Sequence, residues 1–346
     1  MSIVFNRRTI ITVLILFTIA FPLLTNNEYF IHIMTLSFIW MIAVYGLNLL
    51  AGYTGYLSLA HAGFFAVGAY SLGILTVKAQ LSYWTAFLLA LVITSLLGLL
   101  IGVIALRTKE HFFAIYTLCV GYILYLLIDK WDALTEGVRG LIGIPAPADV
   151  GPLSFQTPIS QYYLVLFFLL LTILIMFRIV HSLTGRTYIA IRNSEDLALT
   201  IGISTMKNKL ASFVLSCLFA GLSGALYASF IRFIGPDIGS MNITFDLLTY
   251  LLVGGIGTMS GPIVGTLIIV WVSQQLQFLQ DYRMLIFGPA LTFVVIFYPR
   301  GLVGGVINWS MKLKEKREKK IKLNQSSAND VIFDSQAGAS KQIKEG

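Results

Sequence analysis

Charge is scarce in this sequence. Of 346 residues only 12% are Asp, Glu, Lys or Arg, while 57% are hydrophobic. Soluble domains carry roughly 25% charge and less apolar content. A water-soluble fold could not cover this much apolar surface, which excludes a soluble enzyme, a disordered protein and a nucleic-acid binder. Lys and Arg outnumber Asp and Glu by 24 to 16. In a membrane chain such an excess reports orientation rather than an acidic partner. Cysteine is nearly absent too. Cys119 and Cys217 lie in apolar stretches and match no metal or redox spacing, so they read as small buried residues. His32, His111 and His181 stand at span ends without a ligand pattern. No Gly-x-x-x-x-Gly-Lys-Ser/Thr occurs, so nothing here cradles ATP through a phosphate loop. No paired carboxylates interrupt the apolar stretches, so a proton relay has no candidate. No catalytic residue, metal or cofactor is expected.

What the sequence has is long apolar runs. A membrane span needs roughly 20 apolar residues. Ten stretches qualify: Thr9–Leu24, Ile31–Leu50, Ala62–Val77, Tyr83–Leu106, Phe112–Ile128, Gln161–Val180, Leu210–Phe233, Phe245–Met259, Pro262–Leu279 and Tyr282–Tyr298. The first follows Arg7 and Arg8 as a signal peptide would. It lacks a small-residue cleavage site, so it reads as an uncleaved span. With both termini inside, ten Lys and Arg lie on the cytoplasmic side and five on the outer side, before nine more in the C-terminal tail. The positive-inside rule therefore favours ten spans with cytoplasmic termini. The expected fold is an all-α integral membrane protein lying in the lipid bilayer, with a transmembrane domain over 1–306 and a basic, largely disordered tail over 307–346. The bland reading of that tail is an anchor near anionic headgroups; a regulatory tail is the other.

Two loops are long. The outer one, 129–160, carries Pro145, Pro147, Pro152 and Pro158 with four acidic residues. The inner one, 181–209, is polar and rich in helix formers. Here Asn193 or Ser194 could cap a break, giving two short helices with Glu195 and Asp196 in the first turn of the second. Gly202 is placed to end that helix in a left-handed conformation, and Ser204 to cap the next span. Ile191, Ala198 and Ile201 can share one face, with Arg192, Asn193, Glu195 and Asp196 toward another. Such an element either rests on lipid or fits a groove on a cytosolic partner. Its acidic pair favours the partner, because headgroups on that side are negative.

Two glycine-rich stretches break the spans. In the first, Gly46, Gly52 and Gly55 stand among Asn48, Thr54, Tyr56, Ser58 and His61. Irregular backbone at membrane depth survives only where protein or a wet cavity satisfies it, and broken helices often line substrate paths. The glycines equally permit close packing, and His61 is either a hydrogen-bonded structural residue or a polar gate. The second stretch, Gly254, Gly255, Gly257, Gly261 and Pro262, reads as a tight inner turn. Gly221 and Gly224 read as a packing face. Arg232, Asp237, Asp246, Asp281 and Arg283 read as outer-interface residues, or as part of a docking surface.

Asp196-Leu-Ala-x-x-x-Gly202 resembles the Glu-Ala-Ala-x-x-x-Gly core by which ABC-transporter permeases contact their ATPase. The wider Gly185–Ile203 stretch resembles the LivM-type permeases of branched-chain amino-acid importers. So do Lys209-Leu-Ala-Ser-Phe213, Phe219–Tyr227, Gly46–His61, Gly63–Tyr70, Gly254–Pro262 and Pro299-Arg-Gly-Leu302, in collinear order over about 30–303. The core departs in having Asp for Glu and Leu for Ala, so Glu195 is an alternative carrier of the acidic contact. The resemblance implies a membrane subunit that pairs with a homologous second permease, two ATP-binding subunits and an extracytoplasmic substrate-binding protein. Arg192, Glu195, Asp196 and Gly202 are then the coupling residues. Asn48, Gly52, Thr54, Gly55, Ser58, His61, Gly254, Gly255 and Gly257 are the candidates for the translocation path or its broken helices. Two other readings stay open: a permease for urea or short-chain amides, and an autonomous carrier or channel. A scaffold without transport is a further one.

Overall fold

The structure is a computed structural model that describes residues 16–275, apart from 17, 26, 109, 150, 152 and 153, together with 301, 302, 304 and 305. Of the ten expected spans, Tyr282–Tyr298 lies outside these residues, and Thr9–Leu24 and Pro262–Leu279 are described only in part. The tail 307–346, Asp281 and Arg283 also lie outside them.

The other stretches coincide with helices. Helix α1, Glu28–Leu47, starts at the Asn27 cap and continues as a π-helical turn, Asn48–Thr54. Helices α2, His61–Val77, α3, Tyr83–Ala105, and α4, Glu110–Lys130, follow. The 129–160 loop holds the single-turn α5, Asp132–Thr135, and the strand β1, Leu141–Ile142. Helix α6, Pro158–Val180, opens with Thr157 accepting a hydrogen bond from the Ser160 amide and with Pro at the first position, where no N–H is missed. The polar helices α7, Leu183–Asn193, and α8, Glu195–Thr200, precede α9, Thr205–Ile231. Strand β2, Phe233–Ile234, helix α10, Met241–Gly254, and helix α11, Gly261–Gln275, follow.

Among the described residues, five helices are long and apolar enough to cross a membrane, and α2, α10 and α11 are shorter apolar helices. They form one bundle around α1 and α9. Within their most apolar windows α1 is 83% buried and α9 67%, whereas α3 and α4 are each 28% and α6 33%. The outer three therefore expose leucine-rich flanks such as Leu88, Val92, Leu96 and Leu100. Helix α3 shows how a sequence separates the two sides. Ala86, Ala90, Thr94, Gly98, Gly102 and Ala105 recur about every four residues and are its buried stripe, with Tyr83 and Phe87 at its start. A Cβ on Gly98 would lie 2.8 Å from the Cys217 Cβ of α9. Small residues let the backbones approach where lipid gives no hydrophobic drive to associate. Gly221 and Gly224 do form a packing face, since Cβ atoms on Gly68 and Gly224 would overlap Gly221 O and Phe65 O across α2 and α9.

One short strand pair accompanies the helices: β1 and β2 pair antiparallel, Leu141 with Ile234 and Ile142 with Phe233, tying the 129–160 loop to the end of α9. Helix α9 begins at Thr205, directly after Ser204 as expected, so it extends the apolar span Leu210–Phe233 toward the loop through Lys209. Helix α10 runs Met241–Gly254, which shifts the span expected over Phe245–Met259, and the residues up to Ser260 form the expected turn.

Candidate coupling site

Helices α7 and α8 lie at one end of the bundle. Ser182 and Ser194 cap them, their Oγ atoms accepting from the Gly185 and Leu197 amides at 3.4 and 3.2 Å. Ser194 is extended, so the expected break falls there. Gly202 has φ +84°. Its amide meets Leu199 O and the Ile203 amide meets Ala198 O, each at 3.0 Å, which closes α8 in the left-handed way expected of Gly202. Ser204 stands before α9 but makes no side-chain cap. Tyr188, Ile191 and Ala198 are buried against the bundle. Ile201 is not, at 68% exposed, because α8 stops before reaching it. Asp196, Leu197, Leu199 and Ile201 thus form an outward face.

Arg192 turns the other way. Its guanidinium donates to Gly52 O, in the π-helical turn that ends α1. The turn stops at Gly55, φ +88°, where a Cβ would lie 3.0 Å from the Arg192 Cγ. The second glycine stretch meets the same group. A Cβ on Gly257, φ +72°, would come within 2.8 Å of Arg192 Nη1 and 3.0 Å of Gly52 O. Asn48 joins the two stretches: its Oδ1 accepts from the Gly257 amide and its Nδ2 donates to Thr258 O, both at 2.8 Å. Tyr45 donates to Met259 O at 2.8 Å. Opened carbonyls of a broken helix need partners inside the membrane, and side chains from far along the chain supply them. The close approach also requires glycine, for a Cβ on Gly52 would sit 2.6 Å from the Gly257 nitrogen.

Glu195 forms a second fastening. Lys209 donates to Glu195 Oε1 at 2.6 Å and to the Tyr56 hydroxyl at 3.1 Å, and Tyr56 donates to Glu195 Oε2. The Lys209 ammonium also lies 4.7 Å from the Tyr56 ring centroid, a cation–π contact. Burial pushes the Glu195 carboxyl up, but the hydrogen bonds from Lys209 and Tyr56 outweigh it and hold the group below its ordinary value.

The remaining candidates are spread around this joint. Gly254 packs so tightly on Gly261 that a Cβ would overlap Gly261 O, and Gly255 turns the chain at φ +125°. Gly301, from the Pro299–Leu302 motif, closes on Gly255. The Thr54 hydroxyl donates within its own turn, to Leu49 O at 3.2 Å. The Ser58 hydroxyl accepts from the Ala60 amide at 3.3 Å. His61 Nε2 is 2.9 Å from Ser216 Oγ, which donates to Gly46 O at 2.7 Å. Asn48, Thr54, Ser58 and His61 are all fully buried within the chain. The sequence quoted Tyr56 and Lys209 inside its motifs without giving either a role. A lysine five residues inside an apolar helix, opposite an acidic loop, was the available signal. Tyr45 and Thr258 carried none.

The family described as "Branched-chain amino acid transport system / permease component" matches residues 29–296. The chain belongs to this family. Among its relatives is the high-affinity branched-chain amino acid transport system permease protein LivM of Escherichia coli K12, 27% identical over 86% of this chain and 75% of that protein. The corresponding LivH of Salmonella typhimurium is 25% identical over 78% of this chain and 92% of its own length. The L-arabinose ABC transporter permease protein AraH of Azospirillum brasilense is 26% identical over 51% and 60%. No solved structure matches the chain. The branched-chain permease family and the apolar helices together identify a multi-pass membrane transport subunit.

Proposed function

We propose that the chain is the membrane-spanning permease subunit of an ATP-driven importer for branched-chain amino acids. It would work beside a homologous second permease, with hydrolysis on two separate ATP-binding subunits and substrate delivered by an extracytoplasmic binding protein. Ten spans and cytoplasmic termini complete this reading, in a bacterial or archaeal inner or plasma membrane.

One observation carries the mechanism. The loop of α7 and α8 has an outward apolar and acidic face, and its inward charges grip both broken segments. In this reading the ATPase binds Asp196 and the apolar side chains around it, with Gly202 closing the helix that presents them. Movement of the ATPase displaces α7 and α8 as a unit, as short rigid elements do. Arg192 passes that displacement to Gly52 and, through the adjoining Gly257, to the α10–α11 turn. Glu195 passes it to Tyr56 and to the base of α9. The path then borders Gly52, Gly55, Gly254, Gly255 and Gly257, with Asn48, Thr54, Ser58 and His61 holding its backbone in shape. Both LivM and LivH relatives favour branched-chain cargo; the arabinose relative shows that the family name alone does not set it.

Reconstitution tests the proposal. The chain alone in proteoliposomes moves no leucine, whereas the assembled complex does so with ATP and the binding protein. Uptake by the chain alone contradicts the reading and makes it an autonomous carrier. Uptake of urea but not leucine by the complex changes the cargo. If Glu195→Ala with Asp196→Ala leaves both ATPase association and uptake intact, the coupling assignment fails.

A further inference from the structure

At the end of the bundle opposite α7 and α8 there is a cavity of about 400 Å³, open at the surface. The start of α1, the start of α6 and the end of α9 form its walls. Each of these helices has its other end at the coupling loop, so the cavity faces the side from which an importer receives its substrate. Small-molecule sites commonly measure about 300–1,000 Å³.

Its lining is chemically divided. Glu28 supplies a carboxylate and Arg232 a guanidinium; both residues are exposed to solvent, and neither side chain has an ion-pair or hydrogen-bond partner among the described residues. The lining also has an apolar part, Ile31 at 3% exposed and Phe230, with His32 stacked on Phe230 at a centroid distance of 4.8 Å. Gln161 is 7% exposed and donates to Phe155 O. Arg232 is the left-handed C-cap of α9, at φ +62° with its amide meeting Ala228 O at 2.9 Å, so the end of that helix sets its place in the cavity wall.

We infer that this cavity is a binding site for the zwitterion of a small aliphatic amino acid. Glu28 takes the α-ammonium, Arg232 takes the α-carboxylate as a two-pronged donor, and Ile31 and Phe230 receive the side chain. The inference rests on the importer reading and deepens it by naming where the cargo is first held by this chain. A ligand with one charge leaves Glu28 or Arg232 unmatched, and urea leaves both.

The test uses the full chain in lipid nanodiscs and saturation-transfer NMR, which reads millimolar binding. Three probes separate the charges: leucine, 3-methylbutylamine, which lacks the carboxylate, and 4-methylpentanoate, which lacks the ammonium. Leucine is expected to bind at least tenfold more tightly than either analogue. Glu28→Gln weakens leucine and the amine and leaves the acid unchanged. Arg232→Gln weakens leucine and the acid and leaves the amine unchanged, and Arg232→Lys recovers much of the loss. No leucine signal, or equal loss of all three probes in both variants, overturns the site. So does an effect confined to association of the binding protein, which would make the surface a protein dock. Leucine uptake by the assembled complex is measured beside it. Uptake with no charge-selective loss removes the site and leaves the importer standing; selective binding without ATP-driven uptake removes the importer and leaves the site.

Discussion

The two ends of the bundle use their charges in opposite ways. At the α7–α8 end, Arg192, Glu195 and Lys209 are bound to one another or to polar groups on distant segments. At the far end, Glu28 and Arg232 line a cavity and meet no charge among the described residues. Internally matched charges fix geometry, because removing one partner strands the other. Exposed charges in an open cavity are solvated by water, which a ligand can displace. The same scarce residue types thus make a joint at one end and a receptor at the other.

Substitutions at the joint should therefore damage the fold in proportion to what they strand, while those at the cavity should leave it intact. The largest effect is expected of Gly52→Ala. Its Cβ would press on Asn48 and on the Gly257 backbone, and overpacking typically costs about 1–3 kcal/mol, with backbone contacts at the upper end. Little folded chain should be recovered from membranes by size-exclusion chromatography. Asn48→Ala follows. It strands the Gly257 amide and the Thr258 carbonyl, at about 1–3 kcal/mol for a buried group, and should lower the melting temperature clearly. Gly202→Ala should be milder, near 1 kcal/mol, since its site is open and only its φ of +84° resists a side chain.

Glu195→Gln leaves the buried Lys209 ammonium without its counter-charge, and its effect on stability should carry a characteristic pH dependence. The Glu195 carboxyl is held below its unfolded value, so its contribution is present above the ordinary carboxylate range and lost as pH falls through the lowered pKa. Thermal unfolding at several pH values should show wild type exceeding the variant at neutral pH and converging with it on acidification. Glu28→Gln should show no such loss at neutral pH. A destabilised Glu28→Gln would break the contrast between the two ends.

Much of this architecture was legible in the sequence, for identifiable reasons. Apolar runs and small-residue spacing marked the spans, and Ser194 and Gly202 marked the break and stop in the loop. The pairing was not legible. Lys209 read as loop because a lysine is ordinarily solvated, and only the fold brings Glu195 and Tyr56 to it. Arg192 read as part of an outward face, since helical spacing cannot tell a docking side from a gripping side. Helical spacing lets Ile201 share a face with Ile191 and Ala198, but the helix ends at Thr200 and Ile201 is exposed. Glu28 carries no signal of its own and Arg232 reads as an outer-interface residue, because a cavity formed by the ends of three helices has no signature in any one of them.

The account turns on the claim that Arg192 carries motion from the loop to the broken segments. The most direct measurement is leucine transported per ATP hydrolysed by the reconstituted complex, for wild type and Arg192→Ala. The account predicts that the variant still associates with its ATPase and hydrolyses ATP, while transport per ATP falls at least tenfold. An unchanged ratio, whatever the absolute rates, would contradict it.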